Sequence, residues 1–244
     1  MPMTPSVLVI IPARGGSKGI LRKNLQVLLG KTLLQRTCGL ALSIRGATDV
    51  LCSSEDKEIL ELAKNYGVNM TYIRPQHLAL DETPTADVII HALSELAKSG
   101  KTYGYVILLE VTSQLTRSVD VEEGLNCLLN NENFDSIITL AKSENGHPIF
   151  TFSIDLESLQ VKPYLEGPWR TVRRQDINPL YFIDGSFYIS KVSTFLKYKS
   201  FVQDRTLGFI VPKWQSFEID EPLDLIIAEA VMKRKIEDGE FLDG

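Results

Sequence analysis

Three glycines, Gly15, Gly16 and Gly19, follow an apolar run ending in Ile10-Ile11-Pro12; Arg14, Ser17 and Lys18 stand among them and Lys23 and Asn24 come after. Glycines let a backbone turn tightly and aim its N–H groups inward, which makes an anion cradle. Arg14, Lys18 and Lys23 add charge-assisted donors where a triphosphate would lie. Neither familiar phosphate motif is present. A Walker loop closes on Gly-Lys-Ser/Thr, whereas here Ser17 precedes Lys18, and G-x-G-x-x-G is broken because Gly15 and Gly16 are adjacent. A strand followed by a Gly-rich turn is also a common connection with no ligand, and charge decides between the two. Seven Lys and Arg residues and no acid precede Asp49, in a chain of net charge −5. A basic pole on an acidic chain fits a local anion site; a nucleic-acid track would want a broadly basic face.

Such a cradle has to be held by a frame, and the frame reads as strands alternating with helices, which predicts a largely parallel sheet covered on both faces. Residues 7–11 form a continuous apolar run, β-branched except for Leu8, as in a strand buried on both sides. A helix is expected over about 31–43. The next is marked by Ser54 as cap, Glu55 and Asp56 in the first turn, Ile59, Leu62, Ala63 and Tyr66 at helical spacing, and Gly67 as stop. Residues 68–73 alternate as a strand, and Thr85 opens a helix with Val88, Ile89, Ala92, Leu93 and Leu96 on one face. Strands at 105–111 and 136–141 flank a helix at 119–129. After Ser143 the rhythm changes: strands at 150–154, 185–190 and 207–211 follow without regular helices between them, and Pro222 opens a last helix to about 236. No internal repeat or linker interrupts the chain, so one domain over 1–244 is expected, with an arm at about 143–182 whose Arg- and Pro-rich part departs from the sheet.

At 244 residues with 44% hydrophobic and 23% charged composition, the chain can bury a full α/β core and is not a disordered one. The apolar runs are strand-sized, too short for a bilayer, and the first six residues lack the features of a signal peptide, so a cytoplasmic protein is expected. Cys38, Cys52 and Cys127 are odd in number and widely spaced, which suits small buried hydrophobes and not a disulfide or metal set. His77, His91 and His147 make no ligand pattern.

The stretch from Ile11 to Asn24 resembles the N-terminal signature of the acylneuraminate cytidylyltransferases, a strand followed by A-R-G-G-S-K-G-I and K-N. Further matches run in order along most of the chain: Ser53-Ser54-Glu55-Asp56 for S-T-D-(D/S); Arg74-Pro75, Leu78-Ala79 and Asp81 for R-P-x-x-L-A-x-D, continued by Thr83-Pro84-Thr85; Arg173-Arg174-Gln175-Asp176 for R-R-Q-D; Gly185-Ser186-Phe187-Tyr188 for N-G-S-F-Y; and Phe217-Glu218-Ile219-Asp220 for I-D-I-D. The resemblance implies a three-layer, Rossmann-like nucleotide-diphospho-sugar transferase fold, a mostly parallel mixed sheet and an inserted dimerisation arm. It implies that Arg14, Gly15, Gly16, Ser17, Lys18 and Lys23 hold the CTP phosphates, and that Asn24 and Arg74 place the cytosine with Thr83 and Thr85 nearby. Asp220 and Glu218 would bind Mg²⁺, and Arg14, Lys23 and Asp220 would be catalytic. Glu110, Arg174, Gln175, Asp184 and Tyr188 would lie on the sugar-acid side. The implied reaction is attack of an anomeric hydroxyl on the α-phosphorus with loss of pyrophosphate, in a homodimer that binds neither nucleic acid nor membrane. The residue types suit it, since nucleotidyl transfer is largely positioning plus charge neutralisation. Alternate acids on an extended segment, as Glu218 and Asp220 are, face one side; Asp220 before Pro222 also fits a helix N-cap.

The family's L-Q-P-T-S-P-L-R reads Leu109-Glu110-Val111-Thr112-Ser113-Gln114-Leu115-Thr116-Arg117 here. Glu110 replaces a Gln that faces the substrate, Asp184 replaces an Asn, Glu218 replaces an Asp, and Phe182 stands where many bacterial members have an arginine. The phosphate machinery is retained and the acceptor pocket altered, which leaves three expectations: a nonulosonic acid acceptor, another small acid such as an octulosonic acid or phosphonate, or a nucleotide-binding protein that has lost catalysis.

Overall fold

Alternation decides the layers. In β1 (Val7–Pro12), Val7, Val9 and Ile11 enter one apolar cluster, and Leu8 and Ile10 enter another, as opposite faces of a pleated strand require. The computed structural model describes residues 5–143, 146–167, 173 and 176–241. After β1 come the short hairpin of β2 (Val27–Leu28) and β3 (Lys31–Thr32), then α1 (Leu33–Ser43), β4 (Asp49–Ser54), α2 (Lys57–Asn65) and β5 (Met70–Ile73). Next are α3 (Thr85–Lys98), β6 (Tyr105–Leu108), α4 (Ser118–Leu129) and β7 (Ser136–Lys142). A separate two-stranded sheet, β8 (Phe152–Ile154) with β9 (Val161–Pro163), precedes β10 (Tyr181–Lys191), α5 (Val192–Tyr198), β11 (Thr206–Ile210) and α6 (Pro222–Glu237).

The main sheet has seven strands in the order β11-β7-β10-β6-β1-β4-β5. Strand β10 runs antiparallel to β6 and β7, and every other pairing is parallel. Helices α1, α2, α4 and α6 cover one face through residues such as Leu34, Ile59, Leu125 and Met232. The other face is covered by α3 and α5 through Ile89, Leu93 and Phe195. This is the expected α/β architecture with helices on both sides. From β1 the chain winds outward through β4 to β5, then returns to β6 on the other side of β1. The carboxyl ends of β1 and β6 therefore border a switch point, where open α/β sheets leave a crevice.

Several local expectations need correction. Strand β4 was not expected: Val50, Leu51 and Cys52 are a short apolar run followed by two serines, yet Ser53 and Ser54 are fully buried in the ladder. Ser54 ends this strand and does not cap α2. The cap is Asp56, which accepts from Glu58 N–H at 2.8 Å, while Ser54 Oγ accepts from Asp56 N–H at 3.0 Å. Helix α5 breaks the helix-free stretch expected after Ser143; it is two turns long and buries only Phe195. Cys38 and Cys52 are buried, but Cys127 is exposed, on the outer side of α4 from buried Leu125 and Leu128. Among the described residues no helix is long and apolar enough to cross a membrane.

Candidate active site

The Gly-rich loop leaves β1 at the switch point, and its neighbours leave β4, β5 and β6 at the same end of the sheet. Together they enclose a cavity of about 260 Å³. Its lining holds Arg14, Ser17, Lys23, Asn24, Arg74, Thr83, Thr85 and Glu110. Eight of the residues singled out in the sequence thus come together, although they are spread over nearly a hundred positions. A larger cavity, about 420 Å³ and lined by Thr37, Gln114 and Arg117 among others, gathers no comparable chemistry. Arg117 there is engaged by Asp120 at 2.6 Å.

The loop is held by close packing. A Cβ on Gly15 would meet the Asp56 carboxylate at 2.8 Å, and one on Gly19 would run into the backbone carbonyl of Asp220. Gly16 faces open space. Asn24 is buried and donates its amide to Arg14 O at 2.8 Å, which fixes the turn from inside. Arg22, in the left-handed region at φ 52°, points away from the cavity and pairs with Asp56 and Glu58.

Two acids that the sequence presented only as parts of motifs govern the cations. Asp81 receives Arg14 Nη1 at 2.5 Å and Lys18 Nζ at 2.7 Å. These contacts hold the Asp81 carboxyl below its usual range and raise the Lys18 ammonium, the direct hydrogen bond between the two coming first in each case. Glu55 accepts from Gly15 N–H at 2.7 Å and from Arg74 Nε and Nη2 at 3.2 and 3.1 Å. The available signal was the acid-free basic pole, whose counter-charges had to come from later segments.

The second half of the site is acidic. Ile219 is fully buried, and its N–H donates to Thr112 O at 3.1 Å, which docks residues 218–220 beside the end of β6. Glu218 and Asp220 flank it on the other side of the extended chain, as the alternation predicted. Asp220 is not a helix cap. Glu221 caps α6 in a reciprocal box with Asp224, whose Oδ2 also accepts from Asp220 N–H at 2.9 Å. The Asp220 carboxylate is thereby left to Lys23 Nζ at 2.8 Å, joining the two halves.

Burial pushes Glu218 up to about 7, with Glu110, Asp220 and Asp184 adding repulsion and Lys23 opposing them. Glu110 is raised by burial and by Asp220, again against Lys23. Tyr188 lies in β10 with its ring 5.3 Å from Phe201, and burial first, then Glu110, Glu218 and Asp184, raise its hydroxyl. Asp184 is 3% exposed and receives Ser186 Oγ at 2.5 Å, so it acts on the site through its charge and not by contact. Phe182, in β10 opposite Ala141, is largely exposed. Arg174 and Gln175 lie outside the described residues.

Negative charge around Glu218 exceeds what Lys23 offsets, and oxygen donors of this kind suit a hard divalent cation. Among the described residues no three acids, histidines or cysteines stand in metal-holding reach. The protein would supply one or two carboxylates and leave the remaining positions to phosphate and water, the usual Mg²⁺ arrangement.

Comparisons with known proteins identify the family. The family model for Cytidylyltransferase matches residues 8–153. A pseudaminic acid cytidylyltransferase of Campylobacter jejuni is 30% identical over 226 residues, covering 93% of this chain and 96% of that one. A CMP-N,N'-diacetyllegionaminic acid synthase of Legionella pneumophila is 27% identical over 228 residues, with the same coverage of 93% and 96%. The chain spans about half, 51%, of the N-acylneuraminate cytidylyltransferase it matches in Streptococcus agalactiae. A solved CMP:2-keto-3-deoxy-manno-octonic acid synthetase complexed with CTP superposes with a TM-score of 0.69 over 94% of this chain and 99% of that one; at 16% identity the likeness speaks for the fold. The family model spans more than half of the chain, and relatives match it nearly end to end; the chain belongs to the cytidylyltransferase family and is a CTP-dependent cytidylyltransferase.

Proposed function

We propose that the enzyme transfers CMP from CTP to the anomeric hydroxyl of a nonulosonic acid and releases pyrophosphate. One observation carries the proposal: the cationic loop and the carboxylate segment meet at the Lys23–Asp220 contact, beside a cavity that Asn24 and Arg74 close. Arg14, Lys18 and Lys23 bind the triphosphate and take up the charge that grows on the leaving pyrophosphate. Asn24 and Arg74 place the base, and Thr83 and Thr85 line its flank. Glu218 and Asp220 would hold Mg²⁺, which when bound would orient the α-phosphate and offset its developing charge. Lys23 then exchanges Asp220 for phosphate oxygen. The acceptor enters from the side of Glu110 and Tyr188, with Asp184 behind them.

Relatives that match nearly end to end are named for pseudaminic and N,N'-diacetyllegionaminic acid, which supports a nonulosonic acceptor. Glu110 puts a buried acid where a neutral Gln would stand, so the acceptor side differs from one built for N-acetylneuraminic acid, and this difference supports a differently decorated analogue. The same chemistry is assigned to a homodimer. The β8–β9 hairpin leaves Phe152, Ile154, Val161 and Tyr164 exposed, and a lone two-stranded sheet needs cover to be stable. Pyrophosphate release is the test, with each of the four nucleoside triphosphates against a panel of nonulosonic acids, an octulosonic acid and a phosphonate. CTP with a nonulosonic acid other than N-acetylneuraminic acid should turn over fastest; turnover confined to the octulosonic acid or phosphonate overturns the acceptor assignment. Light scattering should give twice the mass of one chain.

A further inference from the structure

Glu55 stands between β4 and α2, and its two oxygens serve two different parts of the cleft. Oε1 accepts from the Gly15 N–H of the phosphate loop at 2.7 Å. Oε2 accepts from Nε and Nη2 of Arg74 at 3.2 and 3.1 Å. Arg74 is buried and Glu55 mostly so, with side-chain exposures of 4% and 11%. The Arg74 backbone is fixed too, by its N–H on Ser54 O at 3.0 Å. A guanidinium held along one edge cannot turn, and its remaining N–H groups have the cavity lined by Asn24, Thr83 and Thr85 beside them.

We infer that Glu55 is a positioning residue for base selection: it locks the Arg74 guanidinium so that its free N–H groups meet a pair of acceptors, and it ties that reader to the phosphate loop. The inference rests on the assignment of this cleft to CTP. Cytosine offers two adjacent acceptors, N3 and O2, whereas uracil places an N–H donor at N3. Fixed donors welcome the first and oppose the second; an arginine free to rotate would discriminate less. A glutamine at 55 keeps the size and an acceptor for Gly15, but its amide nitrogen offers donors to a group that is itself all donors.

Calorimetric binding of CTP and of UTP in the presence of Mg²⁺ needs no acceptor and tests the idea directly. Wild type, Glu55→Gln and Glu55→Asp are compared, with a thermal melt for each. The ratio of CTP to UTP affinity should fall about tenfold in Glu55→Gln, the worth of one well-placed charged hydrogen bond. Glu55→Asp keeps the charge but is one methylene short for two partners, and its ratio should fall about threefold, since a weakened contact loses part of that worth. Equal weakening of both nucleotides, or an unchanged ratio in either folded variant, overturns the inference and leaves the CTP assignment standing. If Glu55→Gln does not melt cooperatively, the Glu55→Asp ratio decides. Wild type that binds neither nucleotide overturns both.

Discussion

Gly185 sits in the bulge of β10, between the registers at Ile183 and Tyr188, with φ +76°. A Cβ there would run into Glu218 Oε1, and the next neighbour beyond that side chain is Ser113 Oγ at 3.5 Å, an ordinary contact. Gly185→Ala therefore carries two separable penalties. The left-handed backbone costs an alanine about 1–2 kcal/mol. The collision is with the end of a flexible side chain, so it relaxes by swinging the Glu218 carboxylate out of place, at about 1 kcal/mol, the low end of overpacking. In a Glu218→Ala background the second penalty disappears and only the backbone part remains. A double-mutant cycle by urea unfolding should then give a coupling of about 1 kcal/mol, above the 0.3–0.5 kcal/mol scatter expected of independent sites. Turnover supplies a second check. Gly185→Ala and Glu218→Ala should lose comparable activity, and the double variant no more than either. Additive stabilities, or a double variant far slower than both single ones, would falsify the account of how this glycine shapes the carboxylate site.

Three further outcomes follow from the same contacts. Asp220→Asn should cut turnover by about a hundredfold, the order seen when one charge-stabilising contact is lost, and leave the melting temperature in place because Glu221 is the cap; an unchanged rate at low Mg²⁺ would put the metal elsewhere. Asp81→Asn releases Arg14 and Lys18, so the KM for CTP should fall by about two- to fivefold, the worth of an exposed ion pair; a rise would mean that Asp81 orders these cations instead of competing for them. Glu218 titrates near 7 in the folded state against 4.5 when unperturbed. It costs nothing below pH 4.5, where both states are protonated, and stability is lost as pH rises from there through 7. In chelator-treated buffer, Glu218→Gln should gain about 1–2 kcal/mol on wild type between pH 5 and pH 8, after discounting for solvent screening; the same difference at both pH values would refute it.

The parts of the fold most legible in the sequence were those with one dominant signal. The apolar, mostly β-branched run of β1, the glycines after it and the apolar face of α3 each point to a single structure. Strand β4 was hidden because two of its five buried residues are serines, which read as turn and cap. The Asp56 and Glu221 caps depend on which carboxylate reaches a free N–H, a matter of fractions of a turn that spacing alone does not resolve. The cationic half of the site was visible because its members are contiguous. Its counter-ions were not: Glu55 and Asp81 lie on two other connections, and only the sheet order brings them to Gly15, Arg14 and Lys18. The adjacency of Glu110, Glu218 and Asp184 is likewise a product of β10 entering between β6 and β7.

That late insertion bears on how the chain is assembled. The strands β5, β4, β1 and β6 are all made by Leu108, whereas β7 and β11 join them solely through β10, residues Tyr181–Lys191. During synthesis the nascent half-sheet must wait with the apolar edge of β6 unpaired, while β7 has no partner at all. Contacts of such long sequence separation form slowly, and an open strand edge invites pairing with another chain in the interval. Strand β10 is the seam on which cooperative folding closes, so a defect there would show as lost yield and aggregation during expression before it showed in the rate of any molecule that had folded.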